Sequence, residues 1–118
     1  MSNPFGRHLI AELYKCNSEL LDNLPQLERI MVHAALLAGA EVREVVFHKF
    51  QPQGVSGVII ISESHLAIHT FPEFSYAAVD IYTCGHRLNP NDAYCYIANQ
   101  LQASCTLVKE IPRGFAAS

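Results

Sequence analysis

Polar side chains that can do chemistry are concentrated in one stretch of this sequence, residues 62–73. A hydrophobic run leads directly into Glu63 and Ser64, and two histidines, His65 and His69, follow. Hydroxyl, carboxylate and imidazole groups are the nucleophiles, acids and bases of enzyme chemistry. Such groups between apolar strands must satisfy one another or bind something. The stretch is therefore the first candidate for a functional site.

The next predicted strand also ends in polar residues, in the segment 80–86, which contains Cys84. Neighbouring strands of an antiparallel sheet lie side by side and are joined by short turns. We therefore expect Cys84 to lie near Ser64 and His69. The two polar segments together predict one site.

Three interpretations follow from the chemistry of these residues. In the first, the serines and histidines satisfy a turn, and Cys84 is a small buried hydrophobe. In the second, a Ser–His or Cys–His pair acts as a nucleophile, although the sequence has no G-x-S-x-G turn and no acid placed to orient either histidine. In the third, three histidines and the cysteine bind a metal, although their spacing matches no common site. The residues of that third site are His65, His69, His86 and Cys84.

A larger set of residues narrows these interpretations. Glu63-Ser64-His65 is followed by His69, five residues after the serine, and by Thr83-Cys84-Gly85, whose cysteine comes twenty residues after it. Upstream stand Gly54-Val55-Ser56-Gly57 and Gly6-Arg7-His8-Leu9. In order and spacing this set resembles the pyruvoyl-dependent S-adenosylmethionine decarboxylases of bacteria.

The resemblance implies that the chain is a proenzyme that cuts itself between Glu63 and Ser64. The hydroxyl of Ser64 attacks the carbonyl of Glu63, and elimination from the resulting ester leaves a pyruvoyl group at residue 64. In the family, a histidine at the position of His69 promotes this processing, helped by a serine like Ser56. The products are a β chain of residues 1–63 and an α chain that begins at residue 64.

The same resemblance implies the roles of the remaining site residues. The pyruvoyl group forms a Schiff base with the substrate amine and accepts electrons as CO₂ leaves, and Cys84 returns a proton to the product carbon. Phe50 resembles the aromatic residue that stacks on adenine, and Glu73 the carboxylate that holds the ribose hydroxyls. The chain has three lysines, none of them in the polar segments, so we expect no pyridoxal phosphate. We also expect no metal. The implied reaction converts S-adenosylmethionine to its decarboxylated form for spermidine synthesis.

Two other functions stay open at this point. A pyruvoyl-dependent decarboxylase acting on arginine or ornithine would keep the chemistry, but a basic amino acid has neither adenine for Phe50 nor ribose for Glu73. An unprocessed dimeric binding module would keep the fold, but the processing and catalytic residues are intact, which opposes it. The other cysteines, Cys16, Cys95 and Cys105, are expected to be packing thiols.

The elements that must position these residues follow from the hydrophobic pattern. One helix is expected to begin near the cap-type residues Ser18 and Asn23 and to end at Gly39. A second is expected to begin at Asn89-Pro90 and to run to about Gln102. Strands are expected at residues 8–14, 42–50, 55–61, 65–70, 76–82 and 105–111. This order predicts an α+β two-layer sandwich, with both helices on one face of a largely antiparallel sheet.

Length and composition limit the kinds of partner that the chain is expected to bind. The 118 residues fit one domain, 1–118, half of them are hydrophobic, and the net charge of −3 gives no electrostatic reason to expect nucleic acid. The sequence has neither a membrane-length apolar run nor a signal peptide, so a cytoplasmic protein with reduced thiols is expected. A domain this small leaves much apolar surface wet, which favours association. We therefore expect a homodimer of β/α pairs that binds S-adenosylmethionine.

Overall fold

Six strands form one antiparallel sheet in the computed structural model, which describes residues 3–85 and 87–116. The sheet order is β2-β3-β4-β5-β1-β6, so the first strand lies between the fifth and the last. The four central strands of the sequence form consecutive hairpins, which places the turns between them at the sheet ends. The strands are β1 Gly6–Tyr14, β2 Glu41–Lys49, β3 Val55–Ser62, β4 Ser64–Phe71, β5 Tyr76–Cys84 and β6 Cys105–Arg113.

Three helices pack on one face of this sheet: α1 (Ser18–Leu21), α2 (Leu24–Leu37) and α3 (Pro90–Gln100). Each begins after an asparagine whose side chain accepts a hydrogen bond from a backbone N–H of the first turn, at positions 17, 23 and 89. The predicted two-layer α+β sandwich is therefore confirmed, and the sheet is antiparallel throughout. The sequence predicted one helix where the structure has α1 and α2, and it did not predict the 3-10 turn Pro72–Phe74. No helix in the described part of the chain is long and apolar enough to cross a membrane.

The two faces of the sheet have different environments. Residues that face the helices are fully buried, for example Leu66 and Ile68 on β4. Their neighbours point to the opposite face, which no described helix covers and which we call the open face. Several large apolar side chains of the open face are more than one third exposed: Val46, Ile60, Phe71, Leu107 and Ile111.

The β2–β3 hairpin is held in place from α1. Gly54 adopts φ +104, a conformation that L side chains rarely adopt, and its carbonyl accepts a hydrogen bond from the Phe50 N–H at 2.8 Å. The Asp22 carboxylate, just after α1, accepts hydrogen bonds from Lys49 Nζ at 2.7 Å and from the Gly54 N–H at 2.9 Å. The hydrogen bond from Lys49 is the main reason why the pKa of Asp22 lies below its ordinary value. The hydrogen bonds to Asp22 and the hydrogen bond between Phe50 and Gly54 together fix the position of Phe50.

Candidate active site

The turn that joins β3 to β4 places Ser64 and Cys84 together. Glu63 alone separates the two strands, and Ser64 has φ +123, a backbone conformation that costs free energy for a residue with a side chain. Ser64 begins β4 directly opposite Thr83 of β5, so Cys84 comes at the same end of the sheet. The Cys84 Sγ lies 3.8 Å from the Ser64 Oγ. The sequence-based expectation that these two residues meet is therefore met.

A cleft of about 320 Å³ opens beside this turn. Polar and charged groups form much of its wall, and Arg43 Nε donates a hydrogen bond to Ser62 Oγ at 2.5 Å. The cleft gives a small molecule access to the turn. Its lining residues are Ser62, Glu63, Cys84, Gly85, Arg87 and Leu88. We call this region the Ser64 end.

A second polar group lies at the opposite end of the sheet. Ser56 of β3 pairs directly with His69 of β4, and the Ser56 Oγ lies 2.8 Å from the His69 Nδ1 on the open face. Both line a shallow cleft of about 270 Å³, together with His48 of β2. The ring of Phe50 is 46% exposed and meets the ring of His48 edge-on at 4.6 Å. Glu73 is exposed on the 3-10 turn that follows β4. We call this region the His69 end.

The two ends do not form one site within a single chain. Ser64 and His69 stand five residues apart on an extended strand, and a rise of about 3.3 Å per residue separates them by roughly 16 Å. The structure therefore does not bring His69 to Ser64. The expectation that Cys84 lies near His69 is wrong for one chain, because His69 pairs with Ala78 of β5, six residues before Cys84.

Metal-type side chains do not converge in the described ranges. Within residues 3–85 and 87–116, no group of three His, Cys, Asp or Glu residues is arranged to hold a metal ion. His65 and His69 both point to the open face, but they stand four positions apart on the strand, which separates them by about 13 Å. His86, the remaining histidine of the metal interpretation, lies outside the described residues.

Related sequences and the same fold occur in known enzymes. The family model for S-adenosylmethionine decarboxylase matches residues 7–114. The chain is 58% identical over 112 residues to the S-adenosylmethionine decarboxylase proenzyme of Thermoanaerobacter sp. (strain X514), an alignment that spans 95% of this chain and 90% of that protein. This chain belongs to the S-adenosylmethionine decarboxylase family.

Two further relatives agree with this assignment. S-adenosylmethionine decarboxylase proenzyme 2 of Halalkalibacterium halodurans is 62% identical over 112 residues, which cover 95% of this chain and 88% of that one. The crystal structure of the adenosylmethionine decarboxylase from Aquifex aeolicus VF5 superposes with a TM-score of 0.87 at 31% identity, over 98% of this chain and 95% of that one. The resemblance inferred from the motifs is thereby confirmed.

Three polar residues of this family member were not singled out from the sequence. His48 on β2 lines the cleft of the His69 end, and Phe50 follows that strand. Thr83 pairs with Ser64 in the sheet and Arg7 pairs with Thr83, and each of Thr83 and Arg7 has a buried polar atom without a partner among the described residues. Both lie in the motifs that carry the resemblance, but only the fold shows that these atoms are buried.

The four cysteines differ in environment. Cys16 is buried, and desolvation by burial raises the pKa of its thiol to about 11. Cys95 and Cys105 are exposed, so the expectation that they are packing thiols is wrong for those two. Cys95 lies on the outer side of α3, and Cys105 begins the edge strand β6. Among the described cysteines, Cys84 alone lines the cleft beside Ser64.

Proposed function

We propose that this chain is a self-processing S-adenosylmethionine decarboxylase, cut between Glu63 and Ser64 into a β chain of residues 1–63 and an α chain of residues 64–118. The observation that carries the proposal is the 3.8 Å contact between the Ser64 hydroxyl and the Cys84 thiol, at a strained turn in a member of this family. The names of the bacterial relatives include the word proenzyme, which supports self-processing. The reaction serves spermidine synthesis in the cytoplasm.

Self-processing begins at the Ser64 backbone. Its positive φ destabilises the precursor turn, so conversion of the peptide bond to an ester relieves strain. The Ser64 Oγ bonds to the Glu63 carbonyl carbon, and the C–N bond breaks to leave a free amine. Loss of the Ser64 α-proton then breaks the Cβ–Oγ bond, and Glu63 departs as a carboxylate. The dehydroalanine left on the α chain takes up one water and releases ammonia, which balances the atoms.

The Ser64 end fits the group that this sequence of steps produces. When formed, a pyruvoyl ketone supplies an electron sink for the loss of CO₂. Ser64 starts its strand beside the cleft of about 320 Å³, so the new N-terminus of the α chain is accessible to substrate. The Cys84 thiol, already 3.8 Å from the precursor oxygen, is placed to hold a proton and to deliver it to the product carbon.

A second copy of the chain is needed to complete the site. His69 and Ser56 stand roughly 16 Å from Ser64 within one chain, which is too far for proton transfer during processing. We propose a homodimer of β/α pairs in which the open faces pack against each other. A two-fold axis between two sheets places the His69 end of one copy against the partner's Ser64. The exposed apolar side chains of the open face supply the contact area.

Mixed dimers test this arrangement directly. Ser64→Ala and His69→Ala chains should each stay uncut alone, whereas a mixed dimer should cut the His69→Ala chain and leave the Ser64→Ala chain whole. The reason is that the His69→Ala chain keeps its own Ser64 and receives histidine from the partner. The measurement is intact mass after co-expression with two different affinity tags, and separately purified homodimers are the control. Cleavage in neither chain of the mixed dimer would mean that His69 acts within its own chain, and would remove the shared site.

Substrate recognition is assigned to the His69 end. The exposed ring of Phe50 offers a flat surface on which adenine can stack, and Glu73 offers two acceptor oxygens to a ribose diol. In the proposed dimer both lie beside the partner's Ser64. S-adenosylmethionine has an adenosine for these two side chains, and arginine and ornithine have none.

Glu73→Gln should raise the KM for S-adenosylmethionine about 10- to 100-fold with little change in processing. A hydrogen bond to a charged group contributes roughly 1.5–3 kcal/mol, and the amide loses one of its two acceptors. The measurement is CO₂ release from S-adenosylmethionine, arginine and ornithine. Glu28→Gln, an exposed glutamate on α2, is the matched control. Preferential turnover of arginine or ornithine by the unmodified protein would overturn the substrate and leave the self-processing intact.

A further inference from the structure

Two residues in the same row of the sheet as Ser64 have buried polar atoms, and packing does not explain why these atoms are there. Thr83 is 1% exposed, and its hydroxyl has no hydrogen-bond partner among the described residues. Arg7 is half-buried, and its Nε is likewise without a partner. Thr83 pairs directly with Ser64 on one side and with Arg7 on the other, so the three form one row across β4, β5 and β1. Directly paired residues have Cβ atoms about 5 Å apart.

For a positively charged group, the guanidinium of Arg7 has few hydrogen-bond partners among the described residues. Its Nη2 donates one long hydrogen bond, 3.4 Å, to the carbonyl oxygen of Leu88, and Leu88 lines the cleft that also contains Glu63. Within residues 3–85 and 87–116, no carboxylate forms an ion pair with Arg7. Buried polar atoms without hydrogen-bond partners are costly. A guanidinium N–H and a hydroxyl that both lack a partner within the described residues therefore point to a ligand that accepts hydrogen bonds and carries negative charge.

We propose that Arg7 and Thr83 form a carboxylate site that receives the α-carboxylate of Glu63 as it leaves Ser64. The inference rests on the proposed self-processing, because that reaction creates the anion. When the Cβ–Oγ bond of Ser64 breaks, the bonding electrons go to the oxygen, and Glu63 acquires a carboxylate that contains it. The negative charge of this carboxylate therefore appears at Ser64, in the row of paired residues that also contains Thr83 and Arg7. Arg7 and Thr83 are positioning residues that stabilise this leaving group, and afterwards they hold the C-terminus of the β chain.

The site predicts which processing step slows when it is damaged. In Arg7→Gln and in the isosteric Thr83→Val, the acyl shift should proceed while elimination slows about 10- to 100-fold, since a hydrogen bond to a charged group is lost. The ester should then accumulate. Hydroxylamine at neutral pH cleaves an ester but not a peptide bond, and would release an α chain that begins with an ordinary serine. Mass spectrometry and Edman sequencing detect that chain, and Arg29→Gln on α2 is the control that should process normally.

A purely structural role would produce a different result. Adding Thr83→Val to an uncut Ser64→Ala protein should leave its melting temperature unchanged or raise it, because the buried hydroxyl has no hydrogen bond to lose among the described residues. The comparison of Ser64→Ala with the double variant Ser64→Ala, Thr83→Val keeps the test available if Arg7→Gln fails to fold. A fall in melting temperature of the uncut Thr83→Val protein would overturn the proposal.

Three other outcomes would also overturn the carboxylate site. Wild-type processing rates in both variants would show that the leaving group is stabilised elsewhere. Normal processing with a raised KM would assign the anion to the carboxylate of the substrate. A precursor that stalls without a hydroxylamine-sensitive ester would assign Arg7 and Thr83 to the acyl shift. Failure of the proposed function is distinct from all of these, because the unmodified protein would then remain one chain.

Discussion

Ser64→Ala should leave the protein as one chain of 118 residues with no decarboxylase activity, whereas the unmodified protein should separate into two chains. Alanine has no hydroxyl to attack the Glu63 carbonyl, so neither the ester nor the ketone can form. Without an electron sink the reaction falls to its uncatalysed rate, a loss of at least ~10⁶-fold for a typical enzyme. Intact-mass spectrometry reads the cleavage, and CO₂ release reads the activity. The α chain of the unmodified protein should resist Edman sequencing, because its N-terminus is a ketone.

Ser62→Ala is the matched control for this experiment. Ser62 lies in the same turn, but its hydroxyl accepts a hydrogen bond from Arg43. The Ser62→Ala chain should therefore still be cut between residues 63 and 64. If the unmodified protein stays whole through long incubation at neutral pH, the proposed prosthetic group does not exist and the function assigned to this chain is wrong.

Cys84→Ala should still be cut to some extent but should lose about 10²–10⁴-fold in turnover. Processing requires proton removal near Ser64, which we assign to the partner's His69. Turnover requires proton delivery to the product carbon, which we assign to Cys84, and a general acid contributes a factor of this size. A proton delivered to the wrong atom should also inactivate the enzyme progressively and leave an α chain that begins with alanine. Mass spectrometry during turnover measures this change.

Cys95→Ala and Cys105→Ala separate this effect from a general loss of thiols. Both cysteines are exposed and neither lines the cleft, so these variants should process and turn over normally. Cys16→Ala tests burial, since that thiol lies in the core and its removal should change stability rather than the fate of the cofactor. A processed Cys84→Ala protein with near-normal turnover and a stable cofactor would remove Cys84 from the mechanism.

Local sequence patterns were sufficient to predict the six strands and the two longer helices of this fold. A run of β-branched residues predicted β3, and alternation predicted β4, because a half-buried strand places every second residue in the core. Asparagine followed by proline predicted the starts of α2 and α3, because a side-chain cap and a fixed φ act within one turn. The separation of α1 from α2 was missed, since one helical turn is too short to show a period.

The sequence by itself also determined the family and the candidate site residues, through the order and spacing of the motifs that carry the resemblance. Only the tertiary structure decided where they stand. The sequence predicted Cys84 near both Ser64 and His69. Strand order and register come from contacts between distant segments, and these put Cys84 beside Ser64 and leave His69 at the other end. The burial of Thr83 has the same origin, because an alternating pattern shows which face a side chain takes but not what covers it.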